Sequence, residues 1–115
     1  MKEKYQAQLV SLVDKLRPRL LAKSEIEFRP LFGAVAGYYS GNIFITCGKF
    51  GMALRLPSRT ILNLFEQKNG RPLKYFENGH VKKEYVILDK GVLGDTARMR
   101  YLLKVSLQFS AGDRK

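Results

Sequence analysis

The chain is poor in the residues that most often anchor chemistry or covalent cross-links. Its 115 residues include one cysteine and one histidine. A single cysteine excludes an intramolecular disulfide, so nothing in the chain calls for an oxidising compartment. One His and one Cys also fall short of the three or four ligands of a zinc site, and the expectation is no metal and no cofactor. Long apolar runs are missing too. None approaches the roughly 20 residues of a membrane-spanning helix, and the charged Lys2-Glu3-Lys4 is not followed by the apolar block of a signal peptide. These features predict a cytoplasmic protein with no membrane partner. Acidic residues are scarce: 10 Asp and Glu stand against 21 Lys and Arg, a formal net charge of +11. Such an excess steers polyanions toward the surface whatever the fold, which points to nucleic acid or an acidic protein as partner.

What is present is ordinary for a folded domain. Hydrophobic residues make up 45% and charged residues 27% of the chain, and no low-complexity stretch interrupts them. The length fits one domain with one core, placed at 1–110 with a flexible tail at 111–115.

The organising stretch is 31–56. Three apolar runs of strand length are separated by Ser40-Gly41-Asn42 and Gly48-Lys49-Phe50-Gly51, which predicts an antiparallel meander of three strands. Gly48-Lys49-Phe50-Gly51 is a hairpin turn rather than a phosphate-binding loop, which would need its glycines to open a helix with Lys and Ser or Thr at the end. Gly33 and Gly37 in the first of these strands predict a closely packed helix or a bulge there.

Helices flank the meander. Tyr5, Leu9, Leu12, Val13, Leu16 and Leu20 form one stripe over 4–21, with Pro18 ending or kinking the helix. Residues 24–30 are expected to be a polar approach anchored by Phe28. A second helix begins at Pro57-Ser58, uses Ile61, Leu62, Leu64 and Phe65 as its apolar side, and stops at Asn69-Gly70. A hairpin follows, with strands at 73–76 and 81–88 about the turn Glu77-Asn78-Gly79. Asp95 caps a last helix with Ala97, Tyr101, Leu102, Val105 and Phe109 as its apolar side and Arg100, Lys104 and Gln108 on another. The fold class is therefore α+β, with an antiparallel five-stranded sheet in the order helix, three strands, helix, two strands, helix.

The run Arg29-Pro30-Leu31-Phe32-Gly33-Ala34-Val35-Ala36-Gly37-Tyr38, then Gly41-Asn42-Ile43-Phe44, Met52-Ala53-Leu54-Arg55-Leu56, and Pro72-Leu73-Lys74-Tyr75-Phe76 with Tyr85 resembles the N-terminal domain of the TfoX/Sxy proteins, regulators of bacterial competence genes. The resemblance spans about 27–109 and rests on glycine and apolar positions. It implies the same element order and a regulatory role, and it carries over no catalytic or ligand residue.

The candidate sites follow from residue type. Cys47 ends an apolar run and reads as a small core hydrophobe; as a nucleophile it would need a base such as His80 beside it, the basis of an alternative reading as a small hydrolase or transferase. Glu25 and Glu27 form a solvated pair unless burial raises a pKa. Tyr38, Tyr39, Tyr75 and Tyr85 lie in strands, where filling a core or a dimer contact is their usual role and stacking on bases the functional one. Among the scattered cations, Lys74, Lys82, Lys83, Arg98, Arg100 and Lys104 are the set that folding could gather into a surface for a protein or nucleic-acid partner. The edge strands of so small a sheet could also be covered by pairing two subunits, giving a homodimer.

Overall fold

The computed structural model describes residues 2–16, 26–74 and 81–112. The chain is α+β. Its elements are α1 (Lys2–Leu16), β1 (Ile26–Leu31), β2 (Ala34–Tyr39), β3 (Asn42–Gly48), β4 (Gly51–Arg55), α2 (Ser58–Glu66), β5 (Gly70–Leu73), β6 (Lys82–Leu88), α3 (Lys90–Leu93) and α4 (Thr96–Gly112). The strands form one antiparallel sheet in the order β1-β2-β3-β4-β6-β5.

The sheet has six strands and not five. The extra strand is β1, in the stretch expected to be a polar approach. Phe32 and Gly33 both have positive φ, 49° and 80°, the backbone of a two-residue hairpin loop. They fold the expected first strand back on itself, so Leu31 pairs with Ala34. Ser40 and Gly41, at φ 54° and 83°, make the next hairpin in the same way. Pro30 stands next to the closing pair of the first hairpin, where its missing N–H would face away from β2.

Other boundaries move less. α1 stops at Leu16, and the break expected at Pro18 lies outside the described residues. β5 begins at Gly70, earlier than the expected strand. The turn at Glu77-Asn78-Gly79, together with Tyr75, Phe76 and His80, lies outside the described residues, as do Glu25 and 113–115. The tail was expected from 111, but α4 runs to Gly112. α3 is an unexpected short turn, opened by Asp89, whose side chain accepts from the Gly91 N–H at 3.2 Å.

One face of the sheet carries the helices. Val35, Cys47 and Met52 stand in register across β2, β3 and β4, and Ile45, Leu54 and Val86 across β3, β4 and β6. These rows pack with Leu9 and Leu16 of α1, Ile61 and Leu64 of α2, and Met99, Leu103 and Leu107 of α4 in one buried cluster. A smaller cluster of Ala53, Leu73 and Ile87, with Phe50 and Tyr85 against it, forms from the alternate positions.

The glycine expectation in the first stretch is met at Gly37. The register shifts after Gly37, which pairs with Ile45 while Tyr38 pairs with Ile43, leaving Phe44 as the extra residue of a bulge. A bulge exposes carbonyls that the ladder cannot satisfy, and α4 takes them. Ser106 Oγ donates to the Phe44 carbonyl at 2.8 Å and Ser110 Oγ to that of Ile43 at 3.2 Å, while Asn42 Nδ2 donates to the Ser110 carbonyl at 2.9 Å. This rotates α4 from its expected orientation. Its buried face is Met99, Leu102, Leu103, Ser106, Leu107 and Ser110, whereas Ala97 is exposed and Tyr101 is 63% exposed. Counting apolar residues alone passes over the two serines that face the sheet.

Candidate functional site

A partly apolar surface cleft lies where α2 meets β5 and β6. α2 buries Ile61 and Leu64, which leaves Leu62 and Phe65 one step around the helix. Leu62 is 58% exposed and Phe65 is half-buried. Four apolar positions at 61, 62, 64 and 65 cover more of the circumference than a single core stripe needs. Their breadth was the signal in the sequence that part of this helix faces outward.

The strands open opposite those residues. Pro72 pairs with Val86, but the next residue, Leu73, pairs with Lys82, so Lys83, Glu84 and Tyr85 bulge at the junction. A bulge re-aims the side chains around it. The result is a cleft of about 270 Å³ lined by Leu62, Phe65, Pro72, Val81 and Tyr85, with Ser58, Ile61 and Lys83. Val81 is 44% exposed.

Cations outnumber carboxylates around this cleft, where Glu66 is exposed on α2 directly after Phe65. Glu84 is engaged by Arg55, whose Nε and a terminal nitrogen both donate to Oε1, at 3.1 and 2.9 Å. Arg55 is buried, with its guanidinium 4.9 Å from the Phe109 ring centre, an arrangement that favours arginine because its plane stacks while its edge donates. Arg59, Lys74 and Lys83 are exposed. Arg59 shares a side of α2 with Leu62, three residues on; Lys83 lines the cleft; Lys74 follows β5 two residues beyond Pro72.

Elsewhere Glu27 and Asp95 are similarly engaged. Glu27 pairs with Arg29 at 3.1 Å, and that hydrogen bond raises the Arg29 pKa above its ordinary value. Asp95 accepts from the Arg98 N–H at 3.1 Å as the helix cap expected of it. Exposed lysines at 4, 15, 49, 68, 90 and 104 are in no ion pair among the described residues.

The six expected partner-binding residues divide. Lys83 lines the cleft, Lys74 directly follows β5, and Lys82 opens β6 through its pairing with Leu73. Arg98 donates to Gln67 Oε1 after the end of α2, whereas Arg100 Nε reaches the Leu16 carbonyl of α1 at 3.1 Å. Lys104 is exposed on α4. Tyr101, expected among the buried positions, is instead exposed between Arg100 and Lys104. Tyr38 and Tyr39 are half-buried, with the Arg29 guanidinium 4.8 Å from the Tyr38 ring centre.

Cys47 is buried, and its Sγ donates to Gln8 Oε1 at 3.3 Å. Burial pushes the thiol pKa up, away from the thiolate that nucleophilic chemistry uses. His80 lies outside the described residues. Among the described residues no three His, Cys, Asp or Glu side chains come together as a metal site would require, and no helix is long and apolar enough to cross a membrane. Comparison with known proteins found no family model that matches the chain and no matching curated protein.

Proposed function

We propose that the chain is a non-enzymatic binding and regulatory module of the TfoX N-terminal type, contacting a protein or nucleic-acid partner through its basic surface. The observation that carries this reading is the unequal use of charge. Glu27, Glu84, Asp89 and Asp95 are occupied by ion pairs or helix caps, while lysines at 4, 15, 49, 68, 74, 83, 90 and 104, on α1, β6, α3, α4 and the connections between elements, remain exposed. Such a surface attracts polyanions and repels cations. The same proposal places the protein in the bacterial cytoplasm. It includes self-association as a homodimer, which Pro30 and Pro72 in the two edge strands direct away from strand-to-strand pairing. The chain carries one strand more ahead of α2 than the TfoX resemblance implies.

The alternative, catalysis through Cys47 and His80, has less support, because a buried thiol with a raised pKa is a poor nucleophile. The test of the binding reading is a titration of labelled duplex DNA, single-stranded DNA and poly-glutamate at increasing salt. Binding is expected at low salt. For a nucleic acid held by about six phosphate contacts, affinity should fall about a thousandfold between roughly 50 and 200 mM. No binding of any polyanion at low salt would refute the reading.

A further inference from the structure

We propose that the cleft between α2 and the β5–β6 bulge is a docking site for an acidic segment of a partner protein that inserts one large apolar side chain. This rests on the reading of the basic surface as a polyanion-binding surface and narrows the partner there to protein.

Size supports a side-chain occupant. At about 270 Å³ the cleft falls below the roughly 300–1,000 Å³ of pockets that enclose a small molecule, and is of a size for one or two side chains of a peptide. Its walls have the matching chemistry. Leu62, Phe65, Pro72, Val81 and Tyr85 offer apolar contact that a phosphodiester backbone cannot use. Leu62 and Val81 are 58% and 44% exposed, so part of that apolar surface stands in water in the free protein.

Charge selects what flanks the anchor. Lys83 lines the cleft, Arg59 is exposed on α2 and Lys74 directly after β5, against one exposed carboxylate on α2, Glu66. The nearest carboxylate along β6, Glu84, is held by two hydrogen bonds from Arg55. A segment with Asp or Glu on either side of its anchor complements this rim, and a basic one is repelled. The edge strand beside the cleft is short and contains Pro72, so side-chain insertion, rather than addition of a strand, is the mode the surface favours.

The test uses the full chain and three fluorescein-labelled probes: a peptide of about twelve residues, rich in Glu and Ser with a central Trp; the same peptide with Ala in place of Trp; and a single-stranded oligonucleotide. Anisotropy titrations at low salt should show the Trp peptide binding about tenfold tighter than the Ala peptide, the return on burying one large apolar side chain. Leu62→Ala should abolish most of that preference while leaving the Ala peptide and the oligonucleotide unchanged. Lys83→Glu should weaken both peptides. Circular dichroism confirms that each variant is folded, which the exposure of both positions favours. Equal affinity for the two peptides, or a preference that survives Leu62→Ala, overturns the docking site. If the Ala peptide and oligonucleotide still bind in a salt-dependent way, the basic-surface reading stands without it; if no probe binds at low salt, both fail.

Discussion

Replacing Gly37 with alanine tests how tightly the bulge of β3 is packed. A Cβ at Gly37 would lie 2.8 Å from Cγ2 of Ile45 and 3.2 Å from a ring carbon of each of Phe28 and Phe44. Carbon atoms meet comfortably at about 3.5–4.0 Å. Ile45 and Phe44 are fully buried, and α4 holds the carbonyls of Phe44 and Ile43 through its serines. Neither β3 nor its side chains can withdraw without disturbing that helix contact. Overpacking of this kind costs about 1–3 kcal/mol, offset by about 0.5 kcal/mol from the smaller freedom of alanine in the unfolded chain. With an unfolding entropy near 2.1 cal/mol/K per residue, a chain of this length loses about 4 °C in Tm per kcal/mol, so Gly37→Ala should lower Tm by about 2–10 °C. Gly94→Ala supplies the contrast. Its backbone is right-handed, with φ −81°, and the nearest atom to an added Cβ is a carbonyl oxygen 3.5 Å away. Only the unfolded-state effect remains there, a gain of about 0.4–1 kcal/mol. Thermal and urea unfolding of the two variants reads both signs. A Gly37→Ala protein as stable as the parent, or shifts in the same direction for both variants, would refute the packing argument.

Two further predictions concern the core, beside those on polyanion binding and on the cleft. Ser106→Ala removes the donor to the Phe44 carbonyl and opens almost no cavity. The loss should be about 1–2 kcal/mol, with faster amide exchange along β3 by NMR; unchanged stability and exchange would mean that the bond does not anchor α4. Cys47 should make stability fall in alkali. Its folded pKa is raised, so the unfolded chain releases the proton first, and the contribution is complete below the unfolded thiol pKa, near 8.5, and is lost as pH rises toward the folded value. The parent should therefore lose stability relative to Cys47→Ala as pH rises above about 8.5, as measured by urea unfolding; parallel pH profiles would contradict this.

Much of the architecture was legible along the chain because it is local. The β2–β3 and β3–β4 turns carry their glycines, Pro57 marks the start of α2, Asp95 caps α4, and hairpins rather than alternating single strands give an antiparallel sheet. What escaped was local too, but used atypical residues. Phe32 holds a left-handed turn position more commonly given to Asn or Gly, which hid β1, and the buried serines of α4 displaced its apolar register. The candidate site was only half visible. The sequence points to Lys74 and Lys83, but it places Leu62 and Phe65 on the apolar side of a helix and Val81 in a strand, and gives Pro72 no structural place.

The sequence by itself determined the α+β class, the antiparallel pairing and the excess of positive charge, since periodicity, turn chemistry and composition are properties of neighbouring residues. Only the tertiary structure decided which carboxylates are engaged, which way α4 turns, and that α2 meets the bulge of β6 to form a cleft. Those outcomes depend on contacts between residues distant in the chain, such as Ser106 with Phe44 or Arg55 with Glu84, and no local pattern specifies them.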